Sequence, residues 1–289
     1  MIPDTLPGWK EAARRITAPG IRRVLVLGPA DSGKSTLCRL LLRTASERDP
    51  ALLDADPAQK LVGPPACVTL GRLGTDGSLT LSALAFVGAL DPLRSWRRLV
   101  AGTELLASEA RAGLLLANTS GLLRGAGRRL KAAKIAAVRP DLLIAVGDHP
   151  GLEAVPADHA AIPALRLPRS PLARRKAEGE RRALRRDAFR RYFAATPVWP
   201  LSPEGIRLEG EPNGSVLPEP RQLVALIDAA GWDLVLGIVL GRDAQGRLLL
   251  RAPMPEAPVA GLRWGKLWLD ESLAPMSAVT PRPAPSPRR

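Results

Sequence analysis

Between residues 21 and 146 short, uniformly apolar runs alternate with longer stretches in which apolar positions recur every three to four residues. The runs IRRVLVLG, ALLDAD, CVTLGRL, LTLSALAFVG, GLLLANTSG and DLLIAVG have the length and composition of strands. Helical patterns separate them, one beginning at Lys34, one near 91–111 and one near 127–138. Strands that lack polar alternation are covered on both faces, so this order predicts a doubly wound parallel sheet in an α/β domain.

The pattern changes twice after that. Residues 167–195 form a basic stretch whose helix places Leu184, Ala188 and Tyr192, with Phe189 and Phe193 beside them, on one docking face. From Thr196 onward short strands take over, with a helix expected at 221–230, a hairpin in WDLVLGIVLGRDAQGRLLLRAP and a final alternating strand in LRWGKLWLD. The expected organisation is a lead-in at 1–20, an α/β domain at 21–195 with the basic segment 170–194 as a lid, and a small β-rich domain at 196–275. Residues 276–289, rich in Pro, are expected to be a disordered tail.

Composition adjusts this picture modestly. A chain of 289 residues with 46% hydrophobic content is long enough for a full core. The net charge of +14 favours acidic partners such as nucleic acid. Only seven of the 42 basic residues are Lys, a bias that genome composition alone can produce, so the placement of the arginines matters more than their number. Cys38 and Cys67 stand far apart, and neither His149 nor His159 joins a cluster, which speaks against a zinc site and for small buried thiols in a reducing cytoplasm. The N-terminus lacks the apolar core of a signal peptide, and the most apolar later stretch, LVALIDAAGWDLVLGIVLG, carries two Asp, so neither export nor a membrane span is expected.

The strongest chemical signal is GPADSGKS, which fits G-x-x-x-x-G-K-[ST] between a strand and a helix. In such a loop the backbone N–H groups from Gly28 through Asp31, Ser32 and Gly33 turn around phosphates, and Lys34 reaches the β and γ positions. Ser35 offers its hydroxyl to Mg²⁺, and Thr36 sits near the α-phosphate. The implied cofactors are ATP and Mg²⁺. A second acidic element, LLDADPAQ, ends its strand in Asp54 and Asp56, expected beside the phosphate-loop strand. There the Asp56 carboxylate can meet the metal and accept the proton of an attacking alcohol. The next strand ends in Asn118 where an Asp is usual, and no N-K-x-D sequence follows a strand, which weakens a GTPase reading.

Taken in order, GPADSGKSTLCRLLL, LDADPAQ followed by GPP, FVGALDP, NTSGLLRGAG and RRKAEGERRALRRDAFRRYF resemble the polynucleotide 5′-hydroxyl kinases. That family includes the RNA kinase subunit of the pre-mRNA cleavage complex and the kinase of ribosomal RNA processing; the C-terminal third is similar to the latter branch and its prokaryotic relatives. The resemblance implies that Lys34 and Ser35 bind ATP and Mg²⁺ and that Asp56 is the base or metal-linked carboxylate. Lys176 and Arg181 are the lid's phosphate contacts, with Arg175 and Arg182 as rivals. Gln59, Thr119, Gly121 and Leu122 face the acceptor, the 5′-hydroxyl end of RNA or DNA. Three departures stand out: Leu122 replaces the family's Trp, Ala58 replaces a Gly whose φ freedom the turn was expected to use, and residues 1–20 leave no room for a separate N-terminal β domain, so a pared-down member is expected. Two rival functions are an ATP-gated binding or assembly factor without turnover and a small-molecule kinase.

Overall fold

The computed structural model describes residues 7–210 and 216–276. Its first sheet contains β1 (Arg23–Leu27), β2 (Pro50–Ala55), β3 (Cys67–Leu73), β4 (Leu79–Phe86), β5 (Leu114–Thr119), β6 (Leu142–Val146) and β7 (Ala164–Leu167), in the order β4-β3-β2-β5-β1-β6-β7. From β2 to β7 every pairing is parallel, and β3 and β4 extend the β2 edge as antiparallel strands. The expected parallel core is therefore present within a mixed sheet. β2 does not pair with β1 as expected: β5 lies between them, setting Asp54, Asn118 and Val26 side by side.

Helices cover both faces. α1 (Pro7–Ile16) and α2 (Lys34–Thr44) pack Trp9, Ile16, Leu37 and Leu41 on one; α3 (Trp96–Glu109), α4 (Ala126–Val138) and α5 (Pro150–Asp158) pack Leu99, Leu130, Ile135 and Leu152 on the other. The sequence reading gave residues 7–16 no element. Yet Trp9, Ala12, Ala13 and Ile16 recur at helical spacing and are buried, with the Trp9 ring lying close to Gly33 of the phosphate loop. Both cysteines are buried, and burial pushes the Cys38 thiol up to about 12.

The second sheet is built from β8 (Val198–Leu201), β9 (Arg207–Glu209), β10 (Gln222–Ile227), β11 (Asp233–Arg242), β12 (Leu248–Arg251), β13 (Gly261–Leu269) and β14 (Pro275–Met276). The hairpin expected at 232–253 is the antiparallel pair β11–β12, and β13 is the expected alternating strand. The helix expected at 221–230 is a correction: these residues form β10, a central strand paired with β11 and β13 and buried on both faces. A short apolar run such as LVALI fits either element, and here the neighbouring strands decide. Of the expected tail, Met276 closes β14 and 277–289 lie outside the described residues.

α6 (Glu178–Tyr192) joins the two sheets. Phe189 and Phe193 are fully buried in one cluster with Cys67, Leu84 and Phe86 of the first sheet and Leu223, Leu236 and Leu267 of the second. The Tyr192 hydroxyl accepts a bond from the Leu236 N–H at 2.9 Å. The docking face is thus Ala188, Phe189, Tyr192 and Phe193; Leu184, expected on it, is exposed. Across the same junction the Asp233 carboxylate accepts from Phe86 N–H at 2.8 Å and from Arg263 at 2.7 Å. Among the described residues, no helix is long and apolar enough to cross a membrane.

Candidate active site

β1, β2 and β5 run in one direction and end at one edge, where α2 and α4 begin. β4, two antiparallel steps from β2, runs the same way, so α3 begins at that edge as well. A cleft of about 570 Å³ opens there, floored by the phosphate loop and the ends of β2 and β5 and roofed by the segment leading into α6. Gly33, immediately before α2, takes φ 101°, a conformation that L side chains rarely adopt. Gly121 is needed for a different reason: a Cβ there would stand 2.3 Å from the Ala30 nitrogen, so only glycine lets the loop after β5 lie against the phosphate loop.

Lys34 is almost wholly buried, and its Nζ donates to the Pro29 carbonyl at 2.5 Å. Burial lowers its ammonium to about 8, with Asp56 the largest opposing influence. The two carboxylates of LLDADPAQ have different surroundings. Asp54 is fully buried and accepts from Leu61 N–H at 2.6 Å and Asn118 Nδ2 at 2.9 Å, with Lys60 Nζ 3.6 Å away. Asp56 lines the cleft; its Oδ1 accepts from the N–H groups of Ala58 (2.9 Å) and Gln59 (3.2 Å), and its Oδ2 has no protein partner among the described residues. Asp54 is thereby the structural member of the pair and Asp56 the available one. Ala58 is not among the residues of positive φ, so the turn does not use the freedom expected of a Gly there.

Two further lysines, Lys131 and Lys134, are wholly buried one helical turn apart on α4. Lys134 donates to the Ala55 carbonyl, between the two aspartates, at 2.6 Å, and Lys131 donates to the Ser120 carbonyl in the loop after β5. Burial lowers both ammonium groups, Lys134 to about 8. α4 therefore ties together the backbone that carries Asp56 and the loop that carries Gly121 and Leu122. Lys34, Lys60, Lys131, Lys134 and Lys176 are five of the chain's seven lysines, all gathered about this cleft in a protein that elsewhere uses arginine.

The roof is held by Asp31, a phosphate-loop residue with φ 58° and a nearly buried carboxylate. That carboxylate accepts from the Lys176 N–H at 3.0 Å, from Lys176 Nζ at 3.2 Å and from Arg181 at 2.5 Å. Burial pushes its pKa up, but Lys176 and then Arg181 outweigh burial and hold it below the usual carboxylate range.

Of the residues singled out in the sequence, Asp31, Ser32, Gly33, Lys34, Ser35, Thr36, Asp56, Gln59, Thr119, Gly121, Leu122, Lys176 and Arg181 line the cleft. Gly28, Arg175 and Arg182 do not, and the two arginines are exposed. The Thr119 hydroxyl is engaged, donating to the Val26 carbonyl at 2.8 Å. Leu122 sits at the cleft rim, 38% exposed, and not in the core. Sequence reasoning missed Asp91 and Arg174 in the lining and the two α4 lysines. The only available signal for the lysines was two ammonium groups on the apolar side of a helix.

Parallel strands in this order, feeding a phosphate loop beneath a basic helix, are the frame of a P-loop protein. Residues 28–195, more than half of the chain, match the family model described as mRNA cleavage and polyadenylation factor CLP1 P-loop, and the chain belongs to that family. Among curated proteins it is similar to a polyribonucleotide 5′-hydroxyl-kinase of Pyrococcus furiosus, with 31% identity over 197 residues, 65% of this chain and 55% of that protein. A polyribonucleotide 5′-hydroxyl-kinase of Methanocaldococcus jannaschii is 28% identical over 187 residues, 61% of this chain and 52% of the relative. The one of Thermococcus kodakarensis is 28% identical over 251 residues, 83% and 70% of the two chains. The chain thus spans little more than half the length of the first two. The solved structure of wild-type Clp1p in complex with Pcf11p superposes with a TM-score of 0.69 over 88% of this chain and 78% of that one; at 13% identity the likeness bears on the fold alone.

Proposed function

We propose that the protein is an ATP- and Mg²⁺-dependent polynucleotide 5′-hydroxyl kinase of the cytoplasm, transferring the γ-phosphate to the 5′-hydroxyl end of RNA or DNA. The observation that carries the proposal is the convergence, in one cleft, of Lys34 and Ser35 on its floor, Asp56 at its side and Lys176 with Arg181 above. The residues also fit the cofactors. The Ser35 hydroxyl and Asp56 carboxylate are a hard oxygen donor set suited to Mg²⁺. Two buried polar atoms of the cleft lining, Ser32 Oγ and Asn118 Oδ1, have no protein partner among the described residues. Mg²⁺ held by Ser35 and Asp56 would supply neutralisation of the phosphate charge.

The chain's own groups divide the work. Phosphate-loop N–H groups and Lys34 hold the β- and γ-phosphates, and Asp56 accepts the proton of the 5′-hydroxyl as its oxygen attacks phosphorus. Lys176 and Arg181 stabilise the charge on the equatorial oxygens in the transition state. Gln59, Gly121 and Leu122 line the side from which an acceptor enters. The decisive experiment is transfer of labelled γ-phosphate to 5′-hydroxyl RNA and DNA oligonucleotides, against nucleosides as small-molecule acceptors. A protein that binds ATP and transfers to none of them is an ATP-gated binding factor.

Arg181→Ala is expected to lower the single-turnover rate at saturating ATP at least tenfold while ATP affinity changes less, because its charge is called on chiefly as phosphorus transfers. A wild-type rate removes Arg181 from the chemistry. Proton linkage gives a second test. Triphosphate favours the ammonium form of Lys34, which the free protein gives up as pH rises through about 8. ATP affinity should therefore fall above that pH, with net proton uptake on binding. Calorimetric titrations in two buffers of different ionisation enthalpy measure the uptake, and identical heats above that pH refute it.

A further inference from the structure

Asp91 and Pro92 belong to the lining of the cleft and lead straight into α3. Trp96 opens that helix and is 47% exposed, whereas the other tryptophans are buried or half-buried. The guanidinium of Arg97 lies over its ring, 5.4 Å from the centroid. Leu93 and Arg94, on the turn before it, are exposed as well. Neither Arg94 nor Arg97 forms an ion pair among the described residues, so this patch joins apolar surface to unneutralised positive charge.

The segment is also fixed in place. A Cβ on Gly88 would stand 3.0 Å from the Gly265 Cα, which shows how closely the two backbones meet, and Arg98 donates to the Trp264 carbonyl at 3.0 Å. The second domain thus holds the 88–98 segment from behind while Trp96 stays open to solvent. An aromatic face with arginines beside it is the surface that single-stranded nucleic acid selects, because bases stack on the ring and phosphates meet the guanidinium groups.

We propose that Trp96, with Arg94 and Arg97, is a landing surface for the acceptor strand downstream of its 5′ end, one base stacking on the indole as the terminal hydroxyl reaches Asp56. The proposal rests on the polynucleotide kinase reading and gives it a subsite. It also gives the strand an aromatic contact that Leu122, at the rim of the cleft, does not offer.

The test compares wild-type protein with Trp96→Ala and Trp96→Phe, using single strands labelled at the 3′ end and bearing a 5′-hydroxyl. Fluorescence anisotropy without ATP should show Trp96→Ala binding the strand on the order of tenfold more weakly, and Trp96→Phe close to wild type. In the transfer assay Trp96→Ala should raise KM for the long strand by a similar factor and leave KM for a dinucleotide acceptor, and kcat, unchanged. Arg97→Glu, a substitution of an exposed side chain, should weaken strand binding in the same assay and serves if Trp96→Ala fails to fold. A folded Trp96→Ala protein that binds strands normally gives the surface to some other partner and overturns the proposal, as does an equal rise in KM for dinucleotide and long strand. The anisotropy arm needs no phosphoryl transfer, so failure of the kinase reading and failure of the landing surface are read separately.

Discussion

Lys34→Ala is expected to weaken ATP binding about ten- to a hundredfold and to lose phosphoryl transfer with it, while the protein stays folded. The ammonium is buried, and burial lowers its pKa to about 8, so its charged form is a cost to the folded protein below that pH. Removing the side chain takes that cost away along with a single hydrogen bond to the Pro29 carbonyl. The thermal midpoint of the ATP-free protein should hold or rise. Binding has no such compensation, because under the proposed function Lys34 meets phosphate in ground and transition states alike. A lost charge-assisted bond is worth about 1.5–3 kcal/mol, or roughly ten- to a hundredfold in affinity, before any loss in rate. Equilibrium binding of ATP together with a melting curve decides, and unchanged affinity in a folded variant removes Lys34 from the nucleotide site.

Asp56→Asn should separate what Lys34→Ala joins. The Asp56 Oδ1 accepts the N–H groups of Ala58 and Gln59, and an Asn oxygen can accept the same bonds, so the turn persists. What the amide cannot do is take the proton of the attacking hydroxyl. ATP binding should stay within a few-fold of wild type while the transfer step slows by about 10²–10⁴-fold, the usual worth of a positioned base. Single-turnover transfer with ATP affinity measured beside it is the required pair of readings. Full activity in the variant ends the assignment of Asp56.

The floor of the cleft was legible in the sequence because its determinants are local: a strand, a glycine-bracketed loop and a helix lie within twenty residues of one another. Asp56 was legible for the same reason, as a carboxylate just past a strand end. The supports of these groups were not, because they come from far along the chain. Lys131 and Lys134 reach Ser120 and Ala55 only after α4 has packed on the sheet, and a helical Lys reads as solvent-facing until its surroundings are known. β10 was mistaken for a helix since LVALI satisfies both periodicities, and its identity depends on β11 and β13, which follow it. On α6 the expected docking residues Ala188, Phe189, Tyr192 and Phe193 do face the junction between the two sheets, and only Leu184, one turn earlier, lies beyond its reach.

Asp31 places a carboxylate of the chain itself against the roof of the cleft. Its carboxylate holds the two cations of the roof at hydrogen-bond distance, as a phosphate would. Under the proposed function an arriving γ-phosphate would meet side chains already held by a neighbour and trade partners with it, so the rotamer entropy of fixing a Lys and an Arg, about 1.5–2 kcal/mol for each, would belong to folding and not to catalysis. The same exchange would run backwards as the phosphate leaves: Asp31 would recapture both cations and return the roof to the arrangement seen here.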